Sequence, residues 1–278
     1  MTQDLEKLRQ AAQSFSDGND KRMLVKLIRK YPEAARLPLK DGASLMVRAL
    51  ENIKNDWPLL VAYVQGGGLL DGTSPTRGGS SVGWLDILLQ GAEASGHGAI
   101  VMAMTLLHES GCTGEVELKK GRCLANAFDL DMRAGVHPME GAFALAMEMK
   151  CPAGVNDLDP VFMASRDFWK AAPECEALLR AMKDYGIPID SENDVGLKPI
   201  HYAIARKNTD FIIGLSRNGV YLGDHIKAIR ECGFSSEELA HLEAEWMDAE
   251  IGIENSKGSC DAEGKPAPAR SMIPRKGV

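Results

Sequence analysis

The sequence is poor in aromatic residues and contains no long apolar run. Phe, Trp and Tyr make up 6% of its 278 residues. This low content disfavours a β-sandwich, because strands are enriched in aromatic and β-branched side chains. No stretch approaches the roughly 20 consecutive apolar residues that span a membrane, so no membrane partner is expected. Ala, Leu and Met, which favour helices, are abundant instead, and we predict an all-α protein.

The sequence also lacks a secretory signal and paired cysteines. After Met1, no basic segment is followed by an apolar one, as a signal peptide requires. The six cysteines stand singly, at positions 112, 123, 151, 175, 232 and 260. Single cysteines in a chain of this size are typical of reduced thiols, so we predict a cytoplasmic protein. Export by a specialised secretion system or delivery into a host is compatible with this prediction, because neither needs a classical signal.

Sequence motifs of enzymes are missing as well. The glycine-rich segment 66–83 contains neither a phosphate-binding loop nor a dinucleotide-binding fingerprint. His108, Cys112 and Cys123 lack the two paired ligand clusters of a zinc site. We therefore predict no catalytic residues, no cofactor and no metal. The alternative is an enzyme with a non-standard site in a helical scaffold, in which His137 or His225 acts as an acid–base group beside a carboxylate.

The chain is acidic. Its 39 acidic and 32 basic side chains give a formal net charge of −7, which disfavours nucleic acid as a partner and favours a basic protein surface. A second alternative is weak binding of nucleic acid through basic residues near the C-terminus. These are Lys257, Lys265, Arg270, Arg275 and Lys276, and Asp261 and Glu263 dilute their charge.

Apolar residues recur at helical spacing, in units of two helices separated by turn residues. A single helix pair cannot bury its own apolar stripe, whereas stacked neighbours bury each other's, so we predict a stack of pairs. The predicted pairs are 5–15 with 21–31, 41–49 with 57–65, a helix from 83 with 100–110, 122–130 with 138–150, 159–164 with 173–185, a pair within 196–219, and 224–232 with 237–251. We expect Pro58 in the first turn of its helix, and Ser235 with Glu238 as a capping box before the last helix.

One of these pairs opens with a recognisable motif. Residues 198–203 read Lys-Pro-Ile-His-Tyr-Ala. This segment resembles the ankyrin-repeat signature Thr-Pro-Leu-His-x-Ala, which opens the first of two antiparallel helices, and only Lys198 and Ile200 depart from it. Residues 44–49 read Ser-Leu-Met-Val-Arg-Ala and keep the hydroxyl, apolar and Ala positions of the motif. The competing interpretation is an α-solenoid of another repeat type, such as TPR or HEAT.

The resemblance covers about residues 40–220 and implies an ankyrin-like α-solenoid of about six to seven stacked helix pairs, joined by short turns or hairpins. It divides the chain into a repeat domain, 1–251, and a mobile tail, 252–278, which is poor in large apolar side chains. Within the domain, 1–40 and 221–251 form capping pairs around the repeats at 41–220.

The resemblance also implies a function and a site. Ankyrin arrays bind other proteins without chemistry, so the chain is expected to be an interaction module that serves as an inhibitor, an adaptor or a delivered effector. In the motif, His201 bonds to the backbone of the turn, and the residue between His and Ala faces the concave groove. The predicted partner-binding residues are Arg48, Gln90, Asn126, Met163 and Tyr202, with Glu51 and Arg206 about one helical turn further along. For Met163, packing between neighbouring repeats is the alternative role.

Overall fold

A computed structural model describes residues 6, 10, 21–39, 42–71, 73–75, 81–113, 123–151 and 160–260, and within them the side chains of 74, 75, 81, 82 and 249–260 are not described. Apart from residues 6 and 10, the predicted helix 5–15 lies outside these residues, and so does most of the predicted tail, 261–278. The described chain is all-helical apart from one short antiparallel ladder and one isolated bridge between Pro38 and Ser44. The all-α prediction is therefore confirmed.

The helices in chain order are α1 Lys21–Lys30, α2 Leu45–Glu51, α3 Ile53–Gln65, α4 Trp84–Gln90, α5 Ala92–Ser95, α6 His97–Glu109, α7 Cys123–Ala134, α8 Ala142–Glu148, α9 Pro160–Asp167, α10 Ala172–Asp184, α11 Pro199–Arg206, α12 Thr209–Arg217, α13 Ile226–Glu231 and α14 Ser236–Cys260. Single 3₁₀ turns lie at Pro32–Arg36, Pro138–Glu140 and Gly223–His225. The ladder pairs β1, Thr73–Pro75, with β2, Ser81–Gly83.

Contacts between these helices form two rows. Helices α2, α4, α7, α9 and α11 touch one another in this order, and we call them the first helices. In the other row, α1, α3, α6 and α8 touch in order, and so do α10, α12 and α14. Across the rows, α2 packs on α3, α4 on α6, α7 on α8 and α11 on α12. The helices that touch in this way bury their apolar side chains against one another.

The turns that follow the helices of the other row share one geometry. Two residues beyond the end of α3, α6, α8, α10 and α12, the backbone adopts a positive φ. The residues with this conformation are Gly67, Gly111, Lys150, Gly186 and Gly219. The next residue in each turn donates its backbone N–H to the carbonyl five residues earlier, for example Val220 to Leu215 at 3.0 Å. This closure satisfies carbonyls that the helix end would otherwise leave without a partner.

Some predicted boundaries were wrong. Helix α3 begins at Ile53, so Pro58 lies inside the helix and not in its first turn. The earlier start is favoured because Ile53 is completely buried and because Asp56, also buried, pairs with Lys21 of α1 at 2.7 Å. Helix α14 continues to Cys260, beyond the predicted end of the last helix at residue 251 and into the segment predicted as a tail.

The predicted capping box is confirmed. The backbone N–H of Ser235 donates to Glu238 Oε2 at 2.8 Å, and the backbone N–H of Glu238 donates to Ser235 Oγ at 3.2 Å. The two side chains thereby satisfy backbone donors at the start of α14. None of the helices in the described ranges is both long enough and apolar enough to cross a membrane.

Candidate functional site

The first helices share one pattern of burial. Counted from the first residue of each helix, the second residue is buried in all of them, and the fifth is completely buried. The residues at the fifth position are Ala49, Leu88, Ala127, Ala164 and Ala203. The fourth and seventh positions are neighbours on another side of the helix. We call the surface they form the 4/7 face. It consists of Arg48, Ile87, Asn126, Met163 and Tyr202 at the fourth position and Glu51, Gln90, Asp129, Arg166 and Ala205 at the seventh.

The structure brings most of the predicted binding residues to this face. Four of them occupy the fourth position and are half-buried, with their outer parts exposed. They are Arg48, Asn126, Met163 and Tyr202. Glu51 stands at the seventh position and is exposed. Arg206 is exposed but falls at the eighth position of α11, beside the face and not on it.

Gln90 occupies a different position from the one assigned to it. It is the seventh residue of α4, and the fourth is Ile87, which is 95% buried, with 5% of its surface exposed. The predicted alignment of α4 with the motif is wrong by three residues, because the segment before α4 contains no motif that sets its register. Gln90 still belongs to the 4/7 face as an exposed residue. Ile87 contributes an apolar side chain to this face that is almost completely buried.

Tyr202 is held by contacts from three directions. Asn193 Nδ2 donates a hydrogen bond to its hydroxyl at 2.9 Å. Phe162 meets its ring edge-on, with the ring centroids 5.6 Å apart. The guanidinium of Arg166 lies 5.8 Å from the ring centroid, within the range of a cation–π contact. These contacts order the tyrosine while part of its surface stays accessible.

Arg166 also belongs to the 4/7 face, although it is not among the predicted binding residues. It lies three residues after Met163, the same offset that separates Glu51 from Arg48, so the spacing alone could have placed it on the face. Its contact with Tyr202 joins α9 to α11. Arginine and tyrosine are both frequent at the centres of protein interfaces.

The turn before α11 is organised by Asn193 and carries exposed apolar side chains. The side-chain oxygen of Asn193 accepts the backbone N–H groups of Val195 at 3.1 Å and of Leu197 at 2.9 Å. Val195 is 71% exposed and Leu197 is 40% exposed. The buried Asn193 thus joins the turn, with its two exposed apolar side chains, to the hydroxyl of Tyr202 on the 4/7 face.

His201 has the structural role that the motif implies. Its Nδ1 accepts the backbone N–H of Lys198 at 3.0 Å, at the start of α11. The imidazole also meets His225 edge-on, with ring centroids 5.1 Å apart. Burial, and then the charges of His201 and Lys198, hold the pKa of His225 below its ordinary value. Both imidazoles therefore belong to the packing around the turn.

The histidines considered as acid–base groups are engaged elsewhere in the fold. His137 Nδ1 accepts the backbone N–H of Met139 at 3.2 Å, ahead of α8. The close histidine–carboxylate pair of the described structure is His97 with Asp131. Asp131 is completely buried and also accepts the backbone N–H groups of Ala142 and Phe143. Burial raises the pKa of Asp131, and the hydrogen bonds from those amides oppose the shift.

The side chains considered as metal ligands are dispersed. Cys112 is buried after α6, while His108 Nδ1 lies 3.7 Å from Glu148 Oε2. Nowhere in the described part of the chain do three or more His, Cys, Asp or Glu side chains converge as a metal site would require. Of the basic C-terminal residues, Lys257 lies in α14, and Lys265, Arg270, Arg275 and Lys276 lie outside the described residues.

Comparisons with known proteins found no relative of this chain. The chain matches no protein-family model, no curated protein and no solved structure.

Proposed function

We propose that this protein is an ankyrin-like helical repeat module that binds another protein through the 4/7 face, without catalysing a reaction. The observation that carries the proposal is the constant register of the first helices. One position is completely buried in every one, and the position before it is half-exposed in four of the five. Such a register produces an extended surface of side chains that come from separate repeats.

The spacing of the turns supports the ankyrin-like part of the proposal. The left-handed residues Gly186 and Gly219 are 33 positions apart (219 − 186), and the ankyrin period is about 33 residues. The spacing is 36 between Lys150 and Gly186 (186 − 150) and 39 between Gly111 and Lys150 (150 − 111). The period thus lengthens toward the N-terminus, as expected if the earlier units carry insertions.

The chemistry of the face supports a protein as the partner. Tyr202, Met163 and Arg166 offer broad contact areas, and the tyrosine is already ordered, so its immobilisation on binding costs little. The net charge of −7 favours a partner with a basic surface through long-range attraction. Arg48 and Arg166 on the face itself would pair with carboxylates of the same partner.

A capture experiment tests the proposal. Immobilised full-length protein is expected to retain one stoichiometric partner from extracts of its source. The double variant Tyr202→Ala, Arg166→Ala should lose most of that partner, because the aromatic and cationic contact areas disappear together. The matched control is Arg180→Ala, which removes an exposed arginine of α10 that pairs with Glu176 away from the face.

The outcome is read together with the melting temperature of each variant. Capture is measured at a temperature well below the melting temperature of every variant, since a protein that has unfolded loses every surface. Equal capture by the double variant and the original protein would overturn the assignment of the 4/7 face. Loss of capture in Arg180→Ala alone would move the site to the other row of helices.

A further inference from the structure

Two cysteine side chains meet inside the middle of the stack. Cys123 is the first residue of α7, and Cys151 follows the left-handed turn after α8. Their Sγ atoms are 2.6 Å apart, with the Cys123 thiol donating to Cys151. Cys123 is 3% exposed and Cys151 is 1% exposed. The pair therefore joins the beginning of one helix to the end of its antiparallel neighbour.

The surrounding backbone holds both sulfurs in place. The backbone N–H of Cys151 donates to Ala146 O at 3.0 Å, which closes the turn after α8. The carbonyl of Cys151 accepts the hydroxyl of Tyr185, just beyond α10, at 2.6 Å. Cys123 is held in the first turn of α7. The residue after it, Leu124, is completely buried. Because these contacts set the positions of both residues, the approach of the sulfurs follows from the native packing.

We propose that Cys123 and Cys151 form a redox modification site, which closes to an intramolecular disulfide when the protein meets a hydroperoxide such as hydrogen peroxide. The sulfurs need to approach by only about 0.5 Å to reach the length of a disulfide bond. The closed bond would tie α7 to the turn after α8 and, through Tyr185, to α10. It would also fix the turn of α7 that carries Asn126 of the 4/7 face.

The reaction balances with one equivalent of peroxide. One thiolate attacks a peroxide oxygen, the O–O bond breaks, and a sulfenic acid forms while the other oxygen leaves as hydroxide and is protonated to water. The second sulfur attacks the sulfenic sulfur, and the S–S bond forms as the S–O bond breaks. The two thiol protons end in the two water molecules. Both sulfurs are oxidised, and the peroxide is reduced.

The environment of the pair predicts the rate at which it reacts. The hydrogen bond to Cys151, and then burial, raise the pKa of Cys123 well above its ordinary value. Because the thiolate is the nucleophile, oxidation is expected to be slow at neutral pH and faster as the pH rises. The site therefore responds to sustained oxidation and not to brief exposure.

Two other buried cysteines provide contrasts. Burial raises the pKa of Cys175 to about 12, and its thiol donates to the carbonyl of Lys170 at 3.3 Å. Burial also raises the pKa of Cys112 to about 12, and its thiol donates to the carbonyl of Thr113 at 3.8 Å. Both are as deeply buried as the pair, but their thiols donate to carbonyl oxygens.

The test uses the folded full-length protein carrying Cys260→Ser, which removes a thiol whose side chain is not described. After treatment with hydrogen peroxide at pH 8, mass spectrometry should show a loss of about 2 Da from two hydrogens. Non-reducing peptide analysis should identify a Cys123–Cys151 link. The melting temperature should rise by about 5 °C or more, since the link constrains the unfolded chain, and dithiothreitol should reverse both changes.

Matched variants complete the test. Cys123→Ser should abolish the mass loss and the rise in melting temperature, whereas Cys175→Ser should retain both. The proposal is overturned if the thiols of the folded protein stay reduced throughout the treatment. It is equally overturned if Cys151 links to Cys112 instead, or if the link forms only after urea has unfolded the chain.

Discussion

The Nε2 atom of His97 lies 2.7 Å from Oδ1 of Asp131, a carboxylate without any exposed surface. The backbone N–H groups of Ala142 and Phe143 donate to the same carboxylate at 2.8 and 2.7 Å. One side chain in α7 therefore joins the start of α6 to the start of α8. Gly141 leaves the necessary space, because a Cβ there would lie 2.3 Å from Oδ1.

We expect Asp131→Ala to destabilise the protein by about 3 kcal/mol, because it leaves buried donors without an acceptor and opens a cavity. Urea unfolding at pH 7 measures the change in the free energy of unfolding. The control is Asp129→Asn in the same helix, which removes only a surface pair with Arg133 and should cost less than about 1 kcal/mol. Similar losses for the two variants would contradict a special role of Asp131.

His201→Ala should lower the free energy of unfolding by about 1–3 kcal/mol, because the backbone N–H of Lys198 loses its acceptor. The variant protein that remains folded should still bind its partner. Thermal melting and a binding titration, performed on one preparation, distinguish the effects. Loss of binding with an unchanged melting temperature would place His201 in the binding site and not in the turn.

Lys150→Gly should stabilise the protein by about 1 kcal/mol. Lys150 adopts φ 59°, in the left-handed region that costs a residue with a Cβ about this much, and the equivalent turns mostly use glycine. Lys150→Ala is the control, because it removes the side chain and keeps the strain. Chemical denaturation should rank glycine above both lysine and alanine. A glycine variant no more stable than the alanine variant would show that strain at this turn is negligible.

The stability of the turn around His225 should depend on pH. Its pKa in the folded protein is lowered by burial and by the charges of His201 and Lys198, while Asp190 and Asp224 oppose the shift. In the unfolded chain the pKa is about 6.5, so the unfolded state takes up the proton first as the pH falls. The stability that neutral His225 contributes is therefore complete at pH values above its unfolded-state pKa. It is lost as the pH falls through the lower pKa that His225 has in the folded protein.

Comparison of unfolding at pH 8 and pH 5 measures this contribution. His225→Gln should show a smaller loss of stability on acidification than the original protein, whereas His241→Gln, on the exposed side of α14, should not. An identical loss in all three proteins would mean that His225 does not contribute to the pH dependence.

Arg48→Ala and Tyr202→Ala should each weaken partner binding by about 1 kcal/mol or more, measured at a temperature at which both variants stay folded. Lys257→Ala and Arg275→Ala should change the affinity little at physiological salt. Titration calorimetry with the captured partner gives all four values. If the C-terminal substitutions abolish binding and those on the face do not, the site lies outside the 4/7 face.

Local patterns in the sequence predicted much of the helical structure. The capping box of Ser235 and Glu238 and the bond from Lys198 to His201 span three residues each, so their partners can be found within one helical turn. The glycines at 111, 186 and 219 mark helix ends because the left-handed conformation disfavours other residues. Lys150 adopts the same conformation, but this position holds no glycine that would indicate a helix end in the sequence.

The register of the 4/7 face was only partly predictable. Near Tyr202 the motif sets the alignment, and Tyr202 is the fourth residue of α11. At α4 no motif is present, and the fourth position is Ile87 where Gln90 was expected. The start of α3 was missed for a related reason: Asp56 is stabilised by Lys21 of another helix, and a local proline signal carries no information about that contact.

The sequence by itself determined the all-helical class, the order of most helix pairs and the residues that cap them, because these depend on spacing and on partners a few positions away. Only the tertiary structure decided which side chains meet across the pairs. His97 with Asp131, Arg166 with Tyr202 and Cys123 with Cys151 come from different helices or turns. Each contact depends on how neighbouring helices pack, and the period of a single helix does not specify that packing.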